Sequence, residues 1–124
     1  MTETALEQQL TKALAAHNRW KLRLKTAINV GKFDQSVEDV QRCDICEFGK
    51  WIEGDEVPAS LKGGKPYQVT RQLHREFHKA AAVVINHATN GRAERAQEVM
   101  EGAYAERTEK LTRAITRWRS EIQT

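Results

Sequence analysis

The sequence predicts an all-α fold, an antiparallel four-helix bundle with a short second helix and a long loop before the third. Apolar residues recur every three or four positions over long stretches, which is the period of an amphipathic helix. Breakers are few, with seven Gly and two Pro among 124 residues, and we find no strand-like alternation of apolar and polar residues. The length suits a single unit over residues 1–124.

The first helix is predicted from about residue 3 to residue 30, ending near Gly31. One stripe along it is spaced for a buried helix face: Leu6, Leu10, Ala13, His17, Trp20, Leu24 and Ala27. His17 therefore occupies a position at which an apolar residue would be expected.

The second helix is predicted to be short, from about residue 45 to residue 53. Residues 33–41 are less periodic and predict only a turn or a short helical piece. Asp44 and Glu47 stand three apart, the spacing of a capping box, with Asp44 as the cap. Cys46 would then lie in the first turn, where the helix dipole favours a thiolate over a thiol.

A long irregular loop is predicted between residues 54 and 66, because three glycines and two prolines fall within thirteen positions. The third helix is predicted to begin near Pro66 and to end near Thr89, before Asn90 and Gly91. A last helix should run nearly to the end of the chain. Its expected buried face consists of Ala93, Gln97, Met100, Tyr104, Leu111, Ala114 and Trp118.

Charge and hydropathy argue against several classes of function. The formal net charge is +3, and 20 basic residues are interleaved with 17 acidic ones, so we expect no nucleic-acid surface. The longest apolar run, residues 80–85, is far shorter than the roughly 20 residues of a membrane span. The first ten residues lack the pattern of a secretory signal, which favours a cytoplasmic protein. Cys43 and Cys46 should then be thiols, suited to a metal or redox role.

Three histidines share positions that suggest a metal site. His74 and His78 are four residues apart on the third helix, so their imidazoles lie on one face and can bind one ion. His17 lies on the buried stripe of the first helix. A lone core histidine is usually just hydrogen-bonded, but three near the helix seam, with a cysteine elsewhere, favour Zn²⁺. His87 falls on nearly the opposite side of the third helix and is predicted to be a surface residue.

The spacing alone leaves open which cysteine completes such a site. A zinc-finger-like set of Cys43, Cys46, His74 and His78 is one alternative. Its 27-residue gap between Cys46 and His74 is much longer than the spacer of about 12 residues in ordinary fingers, and it leaves His17 unexplained. On a helical wheel, a continuous helix through residues 37–52 would place Cys46 opposite the apolar stripe, a conflict that a break before Cys46 reduces.

The chain resembles the chemoreceptor zinc-binding (CZB) domain family. The resemblance rests on three segments in order: His17 to Trp20 (HNRW), Cys46 to Trp51 (CEFGKW) and His74 to His78 (HREFH). It extends from about Leu6 to Trp118. It implies a four-helix bundle with one zinc held by His17, Cys46, His74 and His78, dimerisation, and fusion in many members to chemoreceptors or diguanylate cyclases. Cys43 is not part of the family pattern.

The expected function is that of a bacterial cytoplasmic zinc-binding sensory domain, in chemotaxis or cyclic-di-GMP pathways. Zinc occupancy, or oxidation of the zinc-bound Cys46, would alter helix packing and signal to a partner protein or a fused output domain. The alternative is a structural zinc site in a protein-interaction module. A di-iron enzyme is disfavoured because the residue three before each histidine is never Glu, and we expect no enzymatic activity. A homodimer through bundle faces is expected, motivated also by Leu111, Ile115 and Trp118.

Overall fold

The computed structural model describes residues 2–123, and their regular secondary structure is entirely helical. Three long or nearly continuous helical stretches carry the fold: α1 (Glu3–Val30), α5 (Lys65–Thr89), and the run of α6 (Ala93–Val99), a π-helical segment (Met100–Tyr104) and α7 (Ala105–Gln123). Between α1 and α5 lie three short helices, α2 (Val37–Gln41), α3 (Glu47–Ile52) and α4 (Ala59–Lys62). The all-α prediction is confirmed, whereas the four-helix count is not.

The first helix begins and ends as its sequence dictates. The Thr2 hydroxyl accepts a hydrogen bond from the Ala5 N–H at 3.0 Å, which caps the N-terminus. At the other end Gly31 adopts a φ of +80° and its N–H donates to the Ala27 carbonyl. This left-handed conformation favours glycine, so α1 stops where the sequence predicts.

The long helices pack on one another so that α1 and α5 run in the same direction and α7 runs against both. His17 of α1 lies near His74 of α5, and Trp20 lies near His78, one turn further along each helix. The opposite direction of α7 follows from the contact of Trp118, near its end, with Tyr67, near the start of α5. The chain therefore crosses back through residues 31–64 before α5 begins.

The last helical stretch differs from its prediction because of the π-helical segment. A π-turn takes in an extra residue, so the buried face shifts from the positions that a uniform 3.6-residue period gives. Ala93 is exposed and Gln97 and Ala114 are half-buried, whereas the buried positions are Ala96, Met100, Tyr104, Leu111, Ile115 and Trp118. Leu111, Ile115 and Trp118 are at most 4% exposed, so they pack inside the chain. The prediction that these three residues contribute to a dimer surface is therefore wrong.

The core lies where α1, α5 and α7 meet, and the short helices close it on one side. Its largest fully buried apolar side chains are Tyr104, Phe77, Leu10, Leu24, Ile52, Ile85, Leu111 and Ile115. Polar side chains in this interior include His17, Thr70, His74 and His78. No helix within residues 2–123 has the length and apolar character needed to cross a membrane.

Candidate metal centre

Four side chains from three parts of the chain converge inside the bundle. His17 comes from α1, Cys46 from the residue preceding α3, and His74 and His78 from α5. One potential ligand atom from each lies within 4.8 Å of the other three. The structure thus brings together all four residues named from the sequence, although they span 62 positions from first to last.

Backbone carbonyls fix the orientation of two of the imidazoles. His17 Nδ1 donates to the Ala13 carbonyl at 2.7 Å, and His78 Nδ1 donates to the Val40 carbonyl of α2 at 2.9 Å. A carbonyl only accepts, so the proton must be on Nδ1 in both rings. In the neutral rings Nε2 then carries a lone pair, which is the form that a metal binds.

The three distances among the ligand atoms of Cys46, His74 and His78 are close to those of a tetrahedral zinc site. His74 Nε2 and His78 Nε2 are 3.1 Å apart, and Cys46 Sγ lies 3.4 Å from the first and 3.5 Å from the second. With Zn–N bonds of about 2.0–2.1 Å and a Zn–S bond of about 2.3 Å, a regular tetrahedron has N–N edges of about 3.3 Å and N–S edges of about 3.6 Å. Three imidazoles and one thiolate also form a donor set that suits zinc.

Burial keeps the histidines neutral at physiological pH. Burial and the neighbouring His78 lower the pKa of His17 to about 4. Burial, followed by the charges of His78 and His17, lowers the pKa of His74 to about 2. Burial likewise lowers the pKa of His78. Protons therefore compete weakly with a metal at these three nitrogens.

Cys46 occupies the N-cap of α3 rather than its first turn. Its Sγ accepts a hydrogen bond from the Gly49 N–H at 3.2 Å, and the helix begins at Glu47. The prediction that Asp44 caps this helix was wrong: Asp44 instead pairs with Arg42 at 3.1 Å. Burial raises the pKa of the Cys46 thiol despite donation from backbone N–H groups, so the chain alone does not favour a thiolate and a cation is needed to hold one.

Aromatic side chains enclose the four ligand residues. The ring centroids of His17 and Phe77 are 4.8 Å apart, those of His74 and Phe48 are 5.0 Å apart, and those of His78 and Trp20 are 5.8 Å apart. Trp51 packs behind Phe48. Trp20 and Trp51 are at most 7% exposed, so they pack around the site and exclude water.

An ion-pair cluster that the sequence analysis did not find joins the end of α3 to α5. The Glu53 carboxylate accepts from Arg71 Nε at 2.8 Å and from Arg75 Nε at 2.9 Å, and its side chain is only 12% exposed. Burial opposes its ionisation, but the guanidiniums of Arg75 and Arg71 outweigh burial and the pKa of Glu53 lies below its ordinary value. The i, i+4 arginines were visible in the sequence, whereas their partner on another helix was not.

Two residues considered as candidates lie outside the cluster. Cys43 Sγ donates to Glu53 Oε1 at 3.8 Å and is not among the four grouped residues, so the geometry does not support the finger-like alternative. His87 accepts a hydrogen bond from Arg92 Nε at its Nδ1, at 2.9 Å, and it too lies outside the group.

Comparison with known families gives one match. The family model for the chemoreceptor zinc-binding domain matches residues 17–85, a span that begins at His17 and contains Cys46, His74 and His78. No curated protein and no solved structure gives a significant match.

Proposed function

This chain belongs to the chemoreceptor zinc-binding domain family, and we propose that it is a zinc-binding sensory domain whose ion is held by His17, Cys46, His74 and His78. The observation that carries the proposal is the convergence of these four ligand atoms within 4.8 Å. Two backbone carbonyls direct imidazole lone pairs toward the cluster. The family is a zinc-binding sensory one, and we assign the chain no catalytic activity.

Cys46 is the ligand that we propose couples the site to helix packing. It precedes a helix of only six residues, and helices this short are not stable on their own. The two histidines of α5 lie instead on a 25-residue helix. Losing the thiolate would therefore loosen the start of α3 against α5, while Glu53 still joins the end of α3 to α5 and the long helices stay packed.

Oxidation is one way to lose that thiolate. Attack of the Cys46 sulfur on an oxygen of hydrogen peroxide forms the sulfenate and releases water, and sulfenate is the poorer zinc ligand. Loss of zinc is the second route to the same loosening, because a bound ion would be held by Cys46 together with His74 and His78 of α5. Either signal would pass to a partner protein or fused output domain, in chemotaxis or cyclic-di-GMP signalling.

The wider organisation is proposed from the family resemblance. We propose one cytoplasmic CZB unit over residues 1–124, a bundle in which the α2–α4 region takes the place of the fourth helix, and assembly as a homodimer. Exposed apolar side chains available to such an interface are Leu22, Val30, Val69 and Val83.

A structural zinc site in an interaction module is the second candidate, favoured by the low exposure of the ligands, since His17, His74 and His78 are at most 4% exposed. Zinc exchange separates the two. A sensory site exchanges zinc with a chelator or releases it when Cys46 is oxidised, whereas a structural site retains it under both treatments.

The ligand assignment is tested by metal analysis of protein purified without added metal. We expect one zinc per chain, an absorption spectrum with three nitrogen neighbours and one sulfur, and greatly weakened binding in His17→Ala. His87→Ala is the matched control, because His87 lies outside the cluster, and should bind like the wild type. Two sulfur neighbours, or unchanged binding in His17→Ala, would refute the assignment.

A further inference from the structure

The three histidines of the cluster differ in what their second ring nitrogen contacts. His17 Nδ1 and His78 Nδ1 each donate to a backbone carbonyl. His74 Nδ1 is fully buried and has no hydrogen-bond partner among the described residues. A ring that binds a metal through Nε2 carries its proton on Nδ1, and a buried N–H without an acceptor is costly.

A second buried polar atom without a partner lies one helical turn away. Thr70 is 0% exposed, and its Oγ1 also makes no hydrogen bond within the described part of the chain. Residues four apart on a helix have Cβ atoms about 5–6 Å apart on the same face. The Thr70 hydroxyl and the His74 Nδ1–H are therefore neighbours with complementary needs.

The other buried side-chain atoms that lack hydrogen-bond partners within residues 2–123 are poorer candidates to accept the His74 Nδ1–H. Trp51 Nε1 is a donor only and cannot accept the proton. The hydroxyls of Tyr104 and Thr108 belong to the π-helical segment and α7, while Thr70 shares α5 with His74. Among these atoms, Thr70 Oγ1 is the acceptor that lies on the same helix face.

We propose that Thr70 is a positioning residue of the metal centre, whose hydroxyl accepts the His74 Nδ1–H when Nε2 binds zinc. The inference rests on the proposed function, since it requires His74 to be a ligand through Nε2. Helical threonine often bonds its hydroxyl to a carbonyl of the preceding turn, but Thr70 Oγ1 makes no such bond, so its oxygen is available to accept the His74 proton. In this arrangement all three imidazoles carry their proton on Nδ1. Two of them donate it to a backbone carbonyl, and His74 donates it to the Thr70 hydroxyl.

Such partners orient the ring and increase its basicity, and removing one typically weakens metal binding 10- to 100-fold. In the metal-free protein the same hydroxyl is only a buried polar group without a partner, so an apolar isostere should be tolerated. Thr70 thus acts on zinc affinity and not on folding. A purely structural threonine would show the reverse.

The test compares Thr70→Val, which keeps the shape and removes the hydroxyl, with Thr70→Ser, which keeps the hydroxyl. Zinc affinity is measured by competition with a chelator, and unfolding of the metal-free proteins by urea. We expect zinc binding weakened roughly 10- to 100-fold in Thr70→Val and restored near the wild-type value in Thr70→Ser. Metal-free Thr70→Val should be at least as stable as the wild type. Thr89→Val is the control, because the Thr89 hydroxyl donates to the Ile85 carbonyl far from the cluster.

Nuclear magnetic resonance supplies a readout specific to His74. The zinc-loaded wild type and Thr70→Ser should show a slowly exchanging His74 Nδ1–H signal, which Thr70→Val loses. Unchanged zinc affinity in Thr70→Val, or a zinc loss that Thr70→Ser does not repair, overturns the inference. If His74→Ala binds zinc as tightly as the wild type, the proposed ligand set itself fails, and the two failures are thereby distinguished.

Discussion

Replacing Gly49 by alanine should disturb both the fold and the metal centre. Gly49 lies in α3 and packs against the peptide of Cys43. Its N–H donates a hydrogen bond to Cys46 Sγ. A Cβ built at Gly49 would lie 2.7 Å from the Cys43 carbonyl carbon, closer still to the carbonyl oxygen, and 3.1 Å from Asp44 Cα. These are backbone atoms, so no side-chain rotation relieves the overlap.

The magnitude follows from how far the backbone must move. Carbon atoms in contact are normally about 3.5–4.0 Å apart, so α3 or the Cys43 peptide must shift by on the order of 1 Å. Overpacking of this kind typically costs 1–3 kcal/mol, and the upper end applies because backbone must move. We therefore expect metal-free Gly49→Ala to lose about 3 kcal/mol of unfolding free energy, which lowers Tm by roughly 10 °C.

Urea unfolding of chelator-treated protein measures this loss, and chelator competition measures zinc affinity, which should fall because Cys46 moves with α3. Gly102→Ala is the matched control. A Cβ at Gly102 meets nothing within 4 Å, so that variant should be unchanged or more stable by up to about 1 kcal/mol. Equal urea midpoints for Gly49→Ala and the wild type would refute the reasoning.

Three further expectations concern ionisable groups. Glu53→Gln should lower stability at pH 7, whereas Asp34→Asn, which alters an exposed ion pair, should have almost no effect. Because the pKa of Glu53 is lowered on folding, its contribution is present above pH 4.5 and is lost as pH falls below it; a Glu53→Gln deficit that persists in acid would contradict this. Burial raises the pKa of Tyr104 to about 12, so the wild type should lose up to about 3 kcal/mol between pH 10 and 12, and Tyr104→Phe, followed by circular dichroism, should lose less. Peroxide should oxidise Cys46 and release zinc, and the Cys43→Ala variant should respond largely as the wild type does. Oxidation found by mass spectrometry at Cys43 alone, with zinc retained, would refute the redox mechanism.

The sequence predicted the parts of the fold that depend on local periodicity and caps. The bounds of α1 and the end of α5 match the predictions, because amphipathic spacing and Gly31 act locally. The π-helical segment was missed, since a single extra residue in a turn leaves no distinct signal. The segment runs from Met100 to Tyr104, and both of these residues are buried.

The candidate site was predictable because its histidines lie on long helices with clear phases. The start of α3 was not predictable, because the Cys46 thiol caps this helix in place of the expected Asp44 carboxylate. Asp44 offered the commoner capping side chain, but it faces solvent and pairs with Arg42. The Glu53 cluster depends on two segments meeting in space, which one-dimensional spacing does not encode.

The connection over residues 31–64 has an energetic consequence for the whole molecule. Its helices have five, six and four residues, well below the roughly 12–15 residues at which an isolated helix becomes marginally stable. Its order therefore comes from its attachments to the long helices, which are the buried side chains of Val40, Phe48, Trp51 and Ile52 and the contacts of Cys46, Glu53 and the Val40 carbonyl with α5. Hydrogen exchange in this connection should report a sub-global opening that leaves α1, α5 and α7 packed. The free energy of that opening, smaller than that of global unfolding, is the quantity that any event at Cys46 has to change.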